Sequence, residues 1–187
     1  IYLGTANQGM LKFDIGQEVF SIYPQIGNGC IKDLVPVGND TLYVGTNGSG
    51  VKIIKASSGQ EITSIEHSIQ EDAICSNAVY SLLKDKNILY IGTYMGGMSY
   101  TPTRGNTFSI YSFKDKFDSH NLNVRAFWIG KQGRKVIGTR DGLYYISEEE
   151  NIVKHYTIKS SILRSDIILS VKPLSLIHIS EPTRRRG

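Results

Sequence analysis

The residues with the clearest chemical use stand directly after a recurring Gly-Thr pair. Asn47, Tyr94 and the pair Arg140-Asp141 each follow one. Amides and carboxylates hydrogen-bond to hydroxyl groups, and a guanidinium can hold a carboxylate or sulfate with two parallel bonds. An aromatic ring packs against the C-H face of a sugar. These side-chain types therefore suit a sugar site built from a few polar groups beside an aromatic ring.

Two further candidates lie at the start of apolar runs. Asn77 comes just before the run that begins at Val79, and Arg125 follows Val124. A turn role is the favoured interpretation for Asn and Asp in glycine-rich turns, and packing on the next repeat is the alternative for the aromatic ring. The predicted ligand-binding residues are Tyr94, Arg140, Asp141, Asn47, Asn77 and Arg125.

The sequence offers no constellation for catalysis or metal binding. It contains neither Gly-x-Ser-x-Gly nor His-Glu-x-x-His, and no pair of carboxylates recurs at one place. His67, His120 and His155 are scattered without Asp or Cys partners. We predict no catalytic residue, no metal site and no cofactor, and therefore a binding protein rather than an enzyme.

The elements that must position these residues come from a repeat. Glycines 4, 45, 92 and 138 are separated by 41, 47 and 46 residues, and each precedes a threonine. Around each pair the chain divides into four short runs rich in Val, Ile, Tyr, Phe and Thr, which favour β-strands. Four short strands in a repeat of this length are typical of a β-propeller blade.

The strand that ends in Gly-Thr should lie in the middle of its blade. LYV at 42–44 and LYI at 89–91 are continuously apolar, as expected where both faces are covered. A glycine there lets neighbouring blades approach closely, so we interpret Gly-Thr as a packing and turn element, not as a catalytic threonine.

The predicted fold class is an all-β propeller with four-stranded antiparallel blades. Residues 1–173 should form about four blades of a seven-bladed ring. Blade breaks are expected near 25–30, 72–77, 118–123 and 160–166, and Ile167 to Val171 should begin another innermost strand.

Residues 174–187 form a tail that we expect not to be native. Leu174 to Arg184, LSLIHISEPTR, resembles the translation of a transposase adaptor used for sequencing libraries. The whole chain has a net charge of +4, and without Glu181 and the three arginines 184–186 it has +2. The basic end is therefore no argument for a nucleic-acid partner.

Two further features of the sequence concern the contact of the protein with a membrane and the chemistry of its cysteines. No run of eighteen apolar residues is present, so contact with a membrane is expected only through segments outside this sequence. Cys30 and Cys75 have no metal or redox spacing, which favours two free buried thiols over a disulfide.

In its phased motifs the chain resembles the two-component regulator propeller repeat. The fullest match, from Asn77 to Tyr100, follows the pattern N-x-V-x-x-I-x-x-D-x-x-G-x-L-W-I-G-T-x-x-G-G-L-x-x-Y with one residue missing before Leu89 and one before Tyr100. Tyr or Val replaces the Trp of that pattern in every Gly-Thr strand. The matching residues are Asn77, Val79, Leu82, Asp85, Leu89, Tyr90, Ile91, Gly92, Thr93, Gly96, Gly97 and Tyr100.

The resemblance implies a periplasmic sensor region of a hybrid two-component regulator of the Bacteroidetes type. Such regions detect oligosaccharides and signal to a histidine kinase, which would lie outside these residues. The resemblance also implies a homodimer in the parent receptor. A propeller lyase or hydrolase, and a protein-interaction scaffold, remain the alternatives.

Overall fold

The computed structural model describes residues 1–23, 26–27, 29–69, 73–102, 108–111, 123–130, 133–147 and 153–173. The predicted non-native tail lies outside the described residues, as do Asn28, residues 70–72 before the third repeat, and residues 112–122, which include His120 and Asn121, before the fourth. Within the described residues, no helix has the length and hydropathy needed to cross a bilayer.

Fifteen strands of the described chain form four antiparallel sheets, each a meander in chain order. Sheet 1 has three strands: β1 (Tyr2–Gly4), β2 (Met10–Asp14) and β3 (Val19–Ile22). Sheet 2 has β4 (Ile31–Val37), β5 (Thr41–Thr46), β6 (Val51–Lys55) and β7 (Glu61–Ile65). Sheet 3 has β8 (Val79–Asp85), β9 (Ile88–Thr93), β10 (Gly97–Pro102) and β11 (Ser109–Tyr111). Sheet 4 has β12 (Ala126–Ile129), β13 (Lys135–Thr139), β14 (Gly142–Ile146) and β15 (Val153–Tyr156).

The Gly-Thr strands occupy equivalent places in the sheets, as the repeat predicts. They are β1, β5, β9 and β13, and in sheets 2 to 4 each pairs with a strand on both sides. Along β5, Leu42 and Val44 enter a core shared with sheet 1, whereas Tyr43 enters the core shared with sheet 3. Both faces of the strand are therefore buried between sheets, which explains its continuous apolar sequence. The prediction of an all-β propeller of antiparallel blades is confirmed.

The glycine of each Gly-Thr pair lies against the inner run of the next repeat. A Cβ placed on Gly45 would lie 3.0 Å from Val79 Cγ1, and one on Gly138 would lie 2.6 Å from Ile168 Cγ2. Gly4 has the same relation to Ile31, 2.6 Å from its Cγ2. These separations are shorter than ordinary van der Waals contact, so neighbouring sheets pack this closely only because the side chain is absent.

The threonine hydroxyl fixes the turn that follows it. Thr46 Oγ1 donates to the Gly50 carbonyl at 2.9 Å and accepts from the Ser49 amide at 2.9 Å. Thr139 makes the same pair of bonds with Gly142 and Asp141. Since the hydroxyl is used in both directions, the threonine is a structural element of the turn, as the sequence predicts.

The run Ile167 to Val171 differs from the prediction of a strand. None of its residues is in a strand or a ladder among the described residues. Its position is nevertheless that of an innermost strand: the Ile168 amide donates to the Thr139 carbonyl at 2.8 Å, as the Ile31 amide does to Thr5. Contact with the preceding sheet therefore places this run without strand pairing.

Both cysteines are free thiols, which confirms that part of the prediction. They are half-buried, however, and not fully buried as expected. Cys75 Sγ lies 2.9 Å from Ser99 Oγ, and burial raises the pKa of the Cys75 thiol.

Two tyrosines join sheet 1 to sheet 2. The hydroxyls of Tyr2 and Tyr23 both donate to the Ala56 carbonyl at 2.8 Å, and their rings meet edge to face with centroids 6.1 Å apart. Burial, with the neighbouring Tyr2, raises the pKa of Tyr23 to about 12. The folded state therefore holds this proton more tightly than the unfolded chain does.

We expect the free energy of unfolding to fall as pH rises from about 10 to about 12, in part because of Tyr23. Between these values Tyr23 ionises readily only in the unfolded chain, so its contribution is complete below pH 10 and is lost above it. Urea denaturation at several pH values checks this, with Tyr23→Phe expected to show the smaller decline. Parallel pH profiles for the two proteins would contradict it, and Tyr145→Phe serves as the control.

Candidate ligand site at the inner strands

The innermost strands of three successive sheets lie side by side. β4, β8 and β12 each form the edge of their sheet, and β8 packs against both of the others. Side chains that turn away from the cores between the sheets can therefore meet from three different repeats. The candidate site lies here.

A tyrosine ring lies at the meeting point of these strands, with two cations close to it. Lys32 Nζ is 4.9 Å from the centroid of the Tyr80 ring, and Arg125 Cζ is 5.6 Å from the same centroid. Both distances fall within the range of cation–π attraction. Lys32 is on β4, Tyr80 is on β8, and Arg125 immediately precedes β12, so each sheet contributes one residue.

Irregularities in β4 and β8 direct Lys32 and Tyr80 away from the cores between the sheets. The pairing of β4 with β5 shifts between Ile31 and Asp33, and that of β8 with β9 shifts between Val79 and Ser81. An extra residue in a bulged strand is left out of the ladder and its side chain is re-aimed. Ile31 and Val79 are buried in the cores, and the residue that follows each of them joins the cluster.

Tyr94 extends the aromatic surface toward solvent. Its ring stacks on Tyr80, with centroids 5.8 Å apart and planes inclined by 23°, and 40% of the residue is exposed. The Tyr94 amide donates to the Ala78 carbonyl at 2.8 Å, which fixes the backbone. We call Lys32, Tyr80, Tyr94 and Arg125 the inner-strand cluster.

The electrostatic balance of the cluster is positive. Asp33 is adjacent to Lys32 in sequence, but its carboxylate accepts from the amides of Leu34 at 2.9 Å and Leu82 at 2.7 Å. Burial raises the pKa of this carboxyl, an effect that the two amides partly offset. In the described part of the chain, neither Lys32 nor Arg125 has an ion-pair partner.

Two buried donors, one in the cluster and one two residues before it in sequence, have no acceptor among the described residues. They are Nε of Arg125 and Nδ2 of Asn123. Asn123 itself is 1% exposed, and its Oδ1 accepts from the Met95 amide at 2.8 Å, which orients the side chain. A buried donor without a partner is costly, so these groups favour an acceptor supplied from elsewhere.

Asn77 has a structural use in the junction between sheets 2 and 3. Its Oδ1 accepts from the His67 amide at 2.6 Å, and its carbonyl accepts from the Gly50 amide at 2.9 Å. At the corresponding junction after sheet 4, Asp166 accepts in the same way from the Ile158 amide at 2.8 Å. The polar side chain before an innermost strand therefore caps the end of the preceding sheet.

The other predicted residues follow Gly-Thr in sheets 2 and 4. Asn47 is exposed and forms an isolated bridge with Ala78. The Asp141 amide donates to Thr139 Oγ1, its carbonyl lies against His155 Nε2, and its Oδ2 is 3.9 Å from that nitrogen. Arg140 is exposed and has no ion pair with another described residue. The structure thus brings Tyr94 and Arg125 together through Tyr80, and places Asn47, Asp141 and Arg140 in turns.

Sequence reasoning missed Lys32 and Tyr80. The available signal is their position, since each is the residue after the first buried one of an inner run, as Arg125 is after Val124. Aligning the repeats at that position would have selected all three.

A separate concavity of about 550 Å³ lies between sheets 1 and 2, around the turn from β4 to β5. Three of its polar side chains are already engaged: the Asp40 carboxylate accepts from Ser57 N at 2.7 Å and from Ser57 Oγ at 2.8 Å. These bonds hold the pKa of Asp40 below its usual value. The Tyr2 hydroxyl is likewise bound to Ala56. We therefore prefer the inner-strand cluster as the candidate site.

Comparison with known proteins gives matches in structure alone. No family model and no curated protein matches the sequence. The extracellular domain of the hybrid two-component system BT3049 from B. thetaiotaomicron matches with a TM-score of 0.66 and 18% identity, over 82% of this chain and 21% of that one. That of BT4673, from the same organism, matches with a TM-score of 0.69 and 19% identity, over 90% and 22%.

A third match comes from a different class of protein. PorZ, an essential surface component of the type IX secretion system of Porphyromonas gingivalis, matches with a TM-score of 0.63 and 17% identity, over 91% of this chain and 27% of that one. The chain therefore spans about a fifth to a quarter of the length of these proteins. The resemblance inferred from the sequence motifs is confirmed at the level of the fold.

Proposed function

We propose that this chain is a ligand-sensing propeller segment of a hybrid two-component sensor. It acts in the periplasm, binds an oligosaccharide, and passes the signal to a histidine kinase in another part of the protein. The observation that carries the proposal is the inner-strand cluster, an aromatic pair with cations beside it, in a fold shared with the BT3049 and BT4673 extracellular domains.

The chemistry of the cluster supports a sugar ligand. Tyr94 presents an exposed ring on which the C-H face of a pyranose can stack, and Tyr80 supports that ring from beneath. Arg125, beside the Tyr80 ring, has a buried Nε donor that could bond to a ring substituent. Because three sheets contribute, a bound sugar would join neighbouring repeats, and a shift between repeats is one means of signalling in a homodimeric receptor.

The proposal assigns binding without turnover. The nearest carboxylate in sequence, Asp33, is occupied by two backbone amides and is not free to act as an acid or base at the cluster. A propeller lyase or hydrolase is the alternative that the experiment below separates.

A protein-interaction scaffold is the second candidate, and two observations favour it. The fold is shared with PorZ, a surface component of a secretion system. In addition, Phe20 and Ile22 on the outer strand β3 are 60% and 66% exposed, and exposed apolar patches often contact partners.

Isothermal titration against a panel of plant and host oligosaccharides tests the proposal on the complete chain. We expect saturable binding of at least one sugar, with every sugar recovered unchanged after prolonged incubation. Release of shortened or unsaturated products would favour the enzyme. Absence of binding across the panel, together with retention of the chain on a partner through Phe20 and Ile22, would favour the scaffold.

A further inference from the structure

We propose that the inner-strand cluster selects an acidic saccharide, a sugar ring that bears a carboxylate or a sulfate. This inference rests on the proposed sensor function and adds the class of ligand. The anionic group would be attracted by the cations of Lys32 and Arg125, and the sugar ring would pack against the tyrosine pair.

The position of two cations at one aromatic ring supports an anionic ligand. Each lies within 6 Å of the same Tyr80 centroid, at 4.9 Å and 5.6 Å. Both positive charges therefore lie at one aromatic ring, and at a partly buried site charge is screened less than in water. In the described chain no carboxylate pairs with either of them, because the adjacent Asp33 is bound to Leu34 and Leu82. An anion bound at the cluster would offset this uncompensated positive charge.

The hydrogen bonding of the cluster supports the same ligand. Arg125 Nε is buried and has no acceptor among the described residues. A guanidinium offers parallel N–H groups that match the paired oxygens of a carboxylate or sulfate. A neutral hydroxyl provides one acceptor and no charge, so it would leave the positive charge of the two cations uncompensated.

The aromatic pair explains why the ligand is a ring and not a free ion. Tyr94 is exposed and stacks on Tyr80, so its outer face is available to an apolar surface. Inorganic sulfate has no such surface, whereas an acidic pyranose combines one with an anionic group.

The test uses the complete chain and matched ligands that differ at C6: glucose, glucuronic acid and glucose 6-sulfate, with the galactose series and inorganic sulfate alongside. Nuclear magnetic resonance follows the Arg125 Nε–H signal during each titration. We expect the acidic sugars to shift this signal and to bind at least tenfold more tightly than the neutral sugars, and we expect sulfate to shift it weakly. The affinity should fall as salt is raised.

Variants separate the cluster from general charge. Lys32 is exposed, so Lys32→Met should fold normally and weaken binding of the acidic sugars at least fivefold more than that of the neutral sugars. Arg125→Lys keeps the charge but loses the planar donors and should retain part of the affinity. Lys12→Met, the control, changes net charge equally on sheet 1 and should have no effect.

The outcomes for the ligand class and for the sensor are distinct. Equal binding of neutral and acidic sugars, or an unmoved Arg125 signal with the acidic sugars bound, would overturn the acidic ligand and leave the sensor proposal in place. A third outcome is that the Arg125 signal responds to sulfate while no sugar of either series or of the oligosaccharide panel binds. That result would contradict the saccharide ligand and, with it, the proposed sensor function. Preference for carboxylate over sulfate, or the reverse, would support the inference and narrow it.

Discussion

Replacing Gly92 with alanine is expected to lower the free energy of unfolding by about 3 kcal/mol, which for a chain of this size lowers the Tm by roughly 6–12 °C. The added Cβ would lie 2.8 Å from both the carbonyl oxygen and Cγ1 of Val124, at the contact between sheets 3 and 4. Since a backbone oxygen cannot rotate away, the two sheets must separate. Urea denaturation followed by the fluorescence of Trp128, the only tryptophan, measures the effect.

Two other glycines provide matched controls for this substitution. A Cβ on Gly29 would meet nothing within 4 Å and its φ is ordinary, so Gly29→Ala should change stability by less than about 0.5 kcal/mol. Gly38 has equally open surroundings but a φ of +65°, so alanine there should cost about 1 kcal/mol through the backbone alone. If Gly92→Ala behaved like Gly29→Ala, the close packing of sheets at Gly-Thr would be wrong.

The fold could be predicted because the same physical requirement recurs in each repeat. A strand buried on both faces needs a continuous apolar run, and a close approach to the next sheet needs glycine, so LYVGT and LYIGT carry both constraints in the sequence. For the run at Ile167 to Val171, the sequence pattern alone does not predict the observed structure. Its pattern is that of a strand, but a ladder also requires a partner, which a run by itself does not show.

The candidate site was only partly predictable, because its members come from positions that the turn chemistry does not mark. Tyr94 was selected from a Gly-Thr turn, and Arg125 from an inner run. The residue that joins them, Tyr80, depends on the shift in pairing between Val79 and Ser81. Asn77 shows the opposite error: an amide with suitable chemistry is used to cap backbone groups of the preceding sheet.

Replacing Tyr80 with alanine is expected to weaken oligosaccharide binding about 30-fold, corresponding to roughly 2 kcal/mol. The Tyr80 ring contacts every other member of the cluster: it supports Tyr94 by stacking and lies beside the cations of Lys32 and Arg125. Without the ring, Tyr94 loses its support and the two cations lose the π-face that attracts them. Isothermal titration with the tightest sugar of the panel measures the loss.

Tyr80→Phe distinguishes the ring from the hydroxyl. Phenylalanine keeps the stacking surface and the quadrupole, so its affinity should remain within about twofold of that of the original chain. Tyr145→Ala, on β14 away from the inner strands, removes the same area from a half-buried position and should leave the affinity unchanged. Equal losses from Tyr80→Ala and Tyr145→Ala would show that binding depends on general stability and not on the cluster. A loss confined to Tyr80→Ala, with circular dichroism unchanged, would show that binding depends on the inner-strand cluster.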